Sequence, residues 1–249
     1  MFNNSAFKRL KTASLLIGFI CLHSCKDEIV LDFSETSILV EDETVVEINI
    51  PKAEGNGNAA AKINKTLKNF ANNTLNIDAA KTAKTTIKEN IASFRDSYKS
   101  FKKQMEEMSL AGTDLPIWEA IIDGEVLYKN ETMVCIAMNS SINTGGAHGN
   151  MMMRFFNFDI ATGKELKNVD LFENTKEFTA LVEKYYKKEL LTTYENGSLD
   201  FKGAGFQLPK TLGFSDDGII IFYDNFNTPS NEPLEFTIPY EVANKYLKV

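Results

Sequence analysis

The run WEAIIDGEVLYKNETMVCIAM, residues 118–138, alternates and then stops alternating. Trp118, Ala120, Ile122, Val126 and Tyr128 interleave with Glu119, Asp123 and Glu125, the period of a strand with one buried and one wet face. Lys129-Asn130-Glu131 makes a turn, and Met133 to Met138 is then apolar at every position, as a central strand must be when both of its faces are covered. Cys135 lies inside this run and reads as a small buried hydrophobe; a nucleophile would need exposure and a nearby base.

Upstream the period changes to that of a helix. Ile87, Ile91, Phe94, Tyr98, Phe101 and Met105 recur at spacings of 4, 3, 4, 3 and 4, a stripe one helix wide, with Lys88, Lys99, Lys102 and Lys103 left for the wet side. Such an aromatic stripe lines either a core or a ligand groove, and core packing is the simpler reading. An earlier helix is expected from about Ala59 to Leu75, with Ile63, Leu67, Phe70 and Ala71 inward. It follows the turn-forming Glu54-Gly55-Asn56-Gly57-Asn58 and a strand in which Val46, Ile48 and Ile50 alternate toward Pro51.

Downstream, a strand is expected over about Asn150 to Ile160, turning at Ala161-Thr162-Gly163-Lys164. Asp170-Leu171-Phe172 then leads to a helix that Asn174 can cap with Glu177 three residues on. Phe178, Leu181, Val182, Tyr185 and Leu190 face inward there, opposite Lys184, Lys187 and Lys188. Asp216-Asp217-Gly218 forms a hairpin turn into Ile219–Tyr223. Leu234, Phe236 and Ile238 alternate in a last strand, and Pro239 opens a short terminal helix through Tyr240 and Val242. The expected class is α+β: an antiparallel sheet with helices packed on it, divisible into subdomains at 37–128 and 129–249.

The first 24 residues have the make-up of an export signal. Lys8, Arg9 and Lys11 precede an apolar run from Ala13 to Leu22, within the ~7–15 residues of a signal core and short of the ~20 that a spanning helix needs. The run ends in Leu22-His23-Ser24-Cys25, which resembles the lipobox of bacterial lipoproteins. The resemblance implies cleavage before Cys25 and acylation of its sulfur, so the expected membrane contact is through lipidated Cys25. Several acyl chains hold a protein where one holds it only marginally. Lys26-Asp27-Glu28 resembles the surface-export signal of some Gram-negative lipoproteins, and residues 25–36 are expected to be a flexible tether. The expected location is the outer membrane, facing the surface, with the periplasmic face as the alternative.

The chain has 27 Lys+Arg against 34 Asp+Glu. Cleavage would remove Lys8, Arg9 and Lys11 and no acid, leaving 24 against 34 and a net charge of −10. A domain of that charge repels nucleic acid and anionic lipid. Of the three Cys, Cys21 would leave with the signal and Cys25 would carry lipid, so Cys135 has no disulfide partner within one mature chain. Stability must come from a packed core, for which ~225 residues are sufficient.

Several short motifs fall in order along the C-terminal half. They are Thr144-Gly145-Gly146-Ala147-His148-Gly149, Asn157-Phe158-Asp159, Thr162-Gly163-Lys164, Asp170-Leu171-Phe172, Asp217-Gly218-Ile219 and Ile238-Pro239-Tyr240. Over about residues 130–249 they resemble the extracellular domain of the lysozyme-sensing anti-sigma factors, a module also found beside some peptidoglycan deacetylases. The usual N-terminal companion of that module resembles residues 37–128. The segment Asp224–Pro233 departs from the aromatic and proline-rich pattern of the module, so ligand contacts from that loop do not carry over.

The candidate ligand-binding loop is Asn143, Thr144, Gly145, Gly146, Ala147, His148, Gly149 and Asn150. Its glycines permit positive φ and close approach of backbone groups, which suits a tight loop able to offer N–H groups to a carbonyl or sugar hydroxyl. His148 is the one imidazole beyond the signal, with a hydrogen-bonding role inside the loop as the simplest reading, ahead of a ligand contact and of catalysis. No Asp or Glu lies between Asn139 and Asn157, so metal ligation there is not expected. The sequence holds no Gly-x-Ser-x-Gly elbow, phosphate loop or His-Glu-x-x-His, and no cofactor is expected. Asp216 and Asp217 fit turn chemistry better than the paired carboxylates of glycoside hydrolysis. The expected function is envelope-exposed binding. The resemblance implies a lysozyme-type muramidase or a peptidoglycan-like glycan as ligand, and a carboxylate-based hydrolase acting on envelope glycans is the alternative.

Overall fold

Hydrophobic alternation places six strands in one sheet. The computed structural model describes residues 31–55, 57–78, 80, 82–108, 115–146, 149–193, 205–224 and 233–248. The expected signal and lipidation site, Cys25 included, lie outside them. In chain order the elements begin β1 (Leu31–Glu41), β2 (Thr44–Gly55), α1 (Asn58–Leu75), α2 (Ile87–Glu107), β3 (Trp118–Lys129), β4 (Met133–Asn143), β5 (Asn150–Asp159) and β6 (Glu165–Leu166). They continue as α3 (Asn168–Leu171), α4 (Thr175–Thr193), β7 (Gly213–Phe214), β8 (Gly218–Tyr223), β9 (Leu234–Pro239) and α5 (Tyr240–Ala243). The large sheet has the order β1-β2-β3-β4-β5-β6, and the small one β7-β8-β9. Every pairing in the large sheet is antiparallel except β2 with β3, which α1 and α2 connect as a crossover. The α+β expectation holds.

One core lies between this sheet and the two long helices. Val46, Ile48, Ile50, Ala120, Ile122, Val134, Ile136, Met138, Phe156 and Phe158 face Ile63, Leu67, Phe70, Ile91, Phe94 and Tyr98. The helical stripes read from the sequence are therefore core, and Trp118 rests against Phe94, Tyr98 and Phe101 at centroid distances of 5.8, 5.6 and 5.4 Å. Thr86 and Glu89 form a reciprocal capping box at the start of α2. Beneath it, buried Asn90 donates to Asn72 Oδ1 at 2.9 Å and to the carbonyls of Lys84 and Thr86, while Asn72 donates to Thr85 O. Two buried amides thus satisfy the backbone that links α1 to α2.

The tether expectation needs correction, because residues 31–36 are strand. β1 pairs with β2 along its whole length from Leu31↔Gly55 to Glu41↔Val45. Leu31 is buried and Phe33 packs against the core. The ladder between β2 and β3 ends at Asn49, and the inward positions of β2 shift from 46, 48 and 50 to 53 around buried Pro51. That shift carries the far end of the β1–β2 ribbon over the core.

A second core covers part of the opposite face. Met133, Cys135, Ala137 and Phe155 meet α4 and the small sheet through Phe178, Val182, Tyr186, Phe214, Ile219 and Ile221. Gly213 marks the close approach, since a Cβ there would stand 2.8 Å from the Phe155 ring. Asn174 caps α4 as expected, accepting from Glu177 N–H at 3.2 Å. The buried stripe of α4 runs Phe178, Val182, Tyr186 and Leu190, while Tyr185 is only half-buried. Tyr185 and Leu181 pack against this core as expected, and Tyr186, absent from the sequence reading, is the fully buried tyrosine. One hydrogen-bonded sheet crosses the 128/129 boundary between the expected subdomains, because β3 pairs with β4 from Glu119↔Asn143 to Lys129↔Val134.

Candidate functional site

Asn143 and Asn150 flank the β4–β5 hairpin loop, with Ile142↔Asn150 the last pair below it. The Asn143 carboxamide accepts the Gly145 N–H at 3.0 Å, a side-chain turn that fixes the start of the loop. Gly145 has φ 81°, and a Cβ on it would lie 2.6 Å from Pro116 Cγ, so this glycine both turns the chain and lets it seat on the entry to β3. Of the loop's glycines it is Gly145 that uses positive φ, and Gly146 and Gly149 do not. Ala147 and His148 lie outside the described residues, as do residues 225–232 of the departing segment. Thr144 is half-buried, and Gly145, Gly146, Gly149 and Asn150 are exposed.

The loop crowns a sheet face that, among the described residues, the second core leaves bare. Leu39 pairs with Glu47, Glu47 with Ile121, Ile121 with Ser141 and Ser141 with Met151, one unbroken row across five strands. Leu39 is 61 % exposed and Met151 78 %. The row above contains Glu41, Val45, Glu119 and Asn143; the row below contains Ser37, Asn49, Asp123 and Asn139 and ends at Met153, which packs against the second core. Asn143 therefore belongs to the loop and to this face at once. None of these positions is Lys or Arg. Asn49 Nδ2 donates to Glu47 Oε1 at 2.9 Å and to Asp123 Oδ1 at 3.3 Å, drawing two carboxylates toward one amide.

Acids at the adjoining β1–β2 turn are treated differently. Asp42 meets Arg95 at 2.8 Å, and Glu43 meets Lys99 at 3.1 Å, both partners coming from α2. The hydrogen bond from Arg95, helped by the Thr44 N–H, holds the Asp42 carboxyl below the usual carboxylate range. Among the described residues Glu41, Glu47, Glu119, Asp123 and Glu125 have no Lys or Arg partner. Asp216 and Asp217 sit exposed in the β7–β8 turn, where Ser215 N–H donates to Gly218 O at 2.9 Å. No three or more His, Cys, Asp or Glu among the described residues are placed to hold a metal ion.

Cys135 is buried beneath the second core. Its Sγ accepts the Phe214 N–H at 3.2 Å, and burial pushes its thiol up to about 12. A group that resists ionisation in this way is structural.

The sequence singled out the loop, but the open face was missed. It could have been found in Glu119, Ile121, Asp123 and Glu125, the wet side of the strand at the centre of the sequence reading. What the sequence lacked was the register that sets them beside Glu47 and Asn143.

Residues 39–151 match the family model described as Deacetylase PdaC, a span that begins within β1 and ends just past the loop. A search of curated proteins finds no match. Among solved structures, a DUF3298 family protein from Pseudomonas aeruginosa is similar at 20% identity and a TM-score of 0.57, over 89% of this chain and 95% of that one. A DUF3298 family member from Bacteroides fragilis is similar at 18% identity and a TM-score of 0.57, over 89% of this chain and 94% of that one. At these identities the likeness shows the fold.

Proposed function

We propose that this protein is a lipid-anchored binding protein of the cell envelope, held by acylated Cys25, whose ligand is a basic muramidase of the lysozyme type. The observation that carries this reading is the polarity of the sheet. β1 begins at Leu31, whose carbonyl accepts from Lys129 at the end of β3, and ends at Glu41 in the row of Asn143. A chain tethered at Cys25 enters at one end of the sheet, and the Asn143–Asn150 loop stands at the other. Eleven strand residues separate these ends, about 35 Å at the usual rise. The mature charge of −10 favours encounter with a basic partner.

Calorimetric titration of the detergent-solubilised protein with egg-white lysozyme tests the reading. The expected result is 1:1 binding that weakens as salt rises from ~50 to ~500 mM, where the Debye length falls well below ~10 Å. Thr144→Ala and Asn150→Ala should weaken binding at unchanged stability. Asn143→Ala is a poorer probe because it also removes the turn bond to Gly145. No heat with lysozyme, alongside saturable binding of a peptidoglycan fragment, would replace this reading with sugar recognition. Release of reducing ends from that fragment would establish a hydrolase.

A further inference from the structure

We infer that the bare half of the large sheet is the docking surface for a cationic protein, an inference that rests on the binding role proposed above and names the surface that carries it. A sheet ordinarily buries both faces or turns a polar, mixed-charge face to water. Here the second core covers only the half that contains Met133, Cys135, Ala137 and Phe155. The three rows of the other half carry acids with no basic residue among them: Glu41, Glu47, Glu119 and Asp123. Like charges on neighbouring strands destabilise a sheet. The nearby acids Asp42 and Glu43 are neutralised by α2, so cations are within the chain's repertoire at this end of the sheet and are withheld from the face.

The row that crosses this acidic field carries exposed Leu39 and Met151 and half-buried Ile121, alternating with Glu47 and Ser141. Exposed apolar side chains rimmed by charge have the make-up of a protein contact, with the apolar centre supplying burial and the acids supplying orientation and encounter rate. A small cation would not need that row, and the carboxylates are spread across strands, no three of them clustered to hold a metal ion. An anionic membrane would be repelled. Five strands at ~4.8 Å and three rows at ~6.8 Å give a patch of about 19 by 14 Å, near 300–400 Å² with side-chain reach. That is roughly half of the ~800 Å² a standard partner contributes, and the Asn143–Asn150 loop at its upper edge extends it.

The test uses the full-length protein in detergent with two probes, egg-white lysozyme and cytochrome c, the latter a basic protein without muramidase activity. The triple variant Glu47→Gln, Glu119→Gln, Asp123→Asn removes charge with little change of shape. It should weaken lysozyme binding at least ~10-fold, flatten its salt dependence and leave the melting temperature equal or higher. The pair Leu39→Ser and Met151→Ser should weaken binding with the salt dependence intact. If both variants bind lysozyme as the wild type does while Thr144→Ala and Asn150→Ala lose it, the docking face is overturned and the binding role stands. If the wild type ignores lysozyme but binds cytochrome c through these carboxylates, the face stands and the muramidase reading falls. Binding of neither probe overturns both.

Discussion

Cys135 lies where the second core closes on β4, and its chemistry follows from that place. An unfolded thiol ionises near pH 8.5, whereas the folded one is pushed up to about 12. Above pH ~8.5 the unfolded chain therefore releases a proton that the folded chain keeps, and stability falls between ~8.5 and 12. Burial also raises Tyr223 and Tyr240, which adds loss of the same sign at the alkaline end. In a soluble chain starting at Lys26, Cys135 should resist a thiol reagent at pH 8 until denaturant is added; prompt labelling of the native protein would contradict this burial. Glycines give a second prediction at this scale. A Cβ on Gly163, at φ 64°, would lie 2.4 Å from Ala59 O, a backbone atom at the start of α1. On Gly145 it would meet a proline ring, and Gly146 is exposed without positive φ. Alanine should destabilise in the order Gly163, Gly145, Gly146, with the middle change costing roughly 1–3 kcal/mol. Urea melts of the three variants check the order.

β1 shows at the scale of the element what one sequence yields and what it withholds. The amphipathic periods of α1, α2 and α4 are local, and so is the alternation of β3, which is why their faces were legible. β1 has alternation too, in Thr36, Ile38 and Val40, but it is half-exposed, lies on the sheet edge and follows charged residues, so its first half, up to residue 36, reads as tether. Loop 143–150 was legible because glycines and asparagines mark turns wherever they occur. The acidic face was not, because it depends on pairing β2 parallel with β3 across two helices. The edge strand can be tested directly. A chain starting at residue 30 keeps Leu31 and Phe33, while one starting at residue 37 loses both. Burying a Leu or Phe side chain contributes about 1.5–3 kcal/mol, so the shorter chain should lose several kcal/mol, a large share of a typical ~5–15. Equal melting of the two chains would restore the tether.

One strand serving two cores governs the whole molecule. β4 turns Val134, Ile136 and Met138 toward α1 and α2, and Met133, Cys135 and Ala137 toward α4 and the small sheet. Either layer removed alone would expose one side of a strand buried throughout from Met133 to Met138. At ~0.8 kcal/mol per CH₂ group returned to water, that exposure rivals the stability of an ordinary domain. The layers should therefore unfold together, and the molecule carries its own two probes. Trp118 is the single tryptophan and packs in the helical core, whereas Cys135 reports the other core. Urea titration of the chain starting at Lys26, followed by tryptophan emission and by thiol labelling, should give one midpoint and one slope. Separate midpoints would mean that the layers unfold independently and that β4 does not couple them. Coupling matters for the proposed docking, because the bare face is built on β1 to β5 and three of these strands, β3 to β5, contribute to both cores. A ligand seated there should raise both probes' midpoints equally, since mass action stabilises every element that unfolds in the same step.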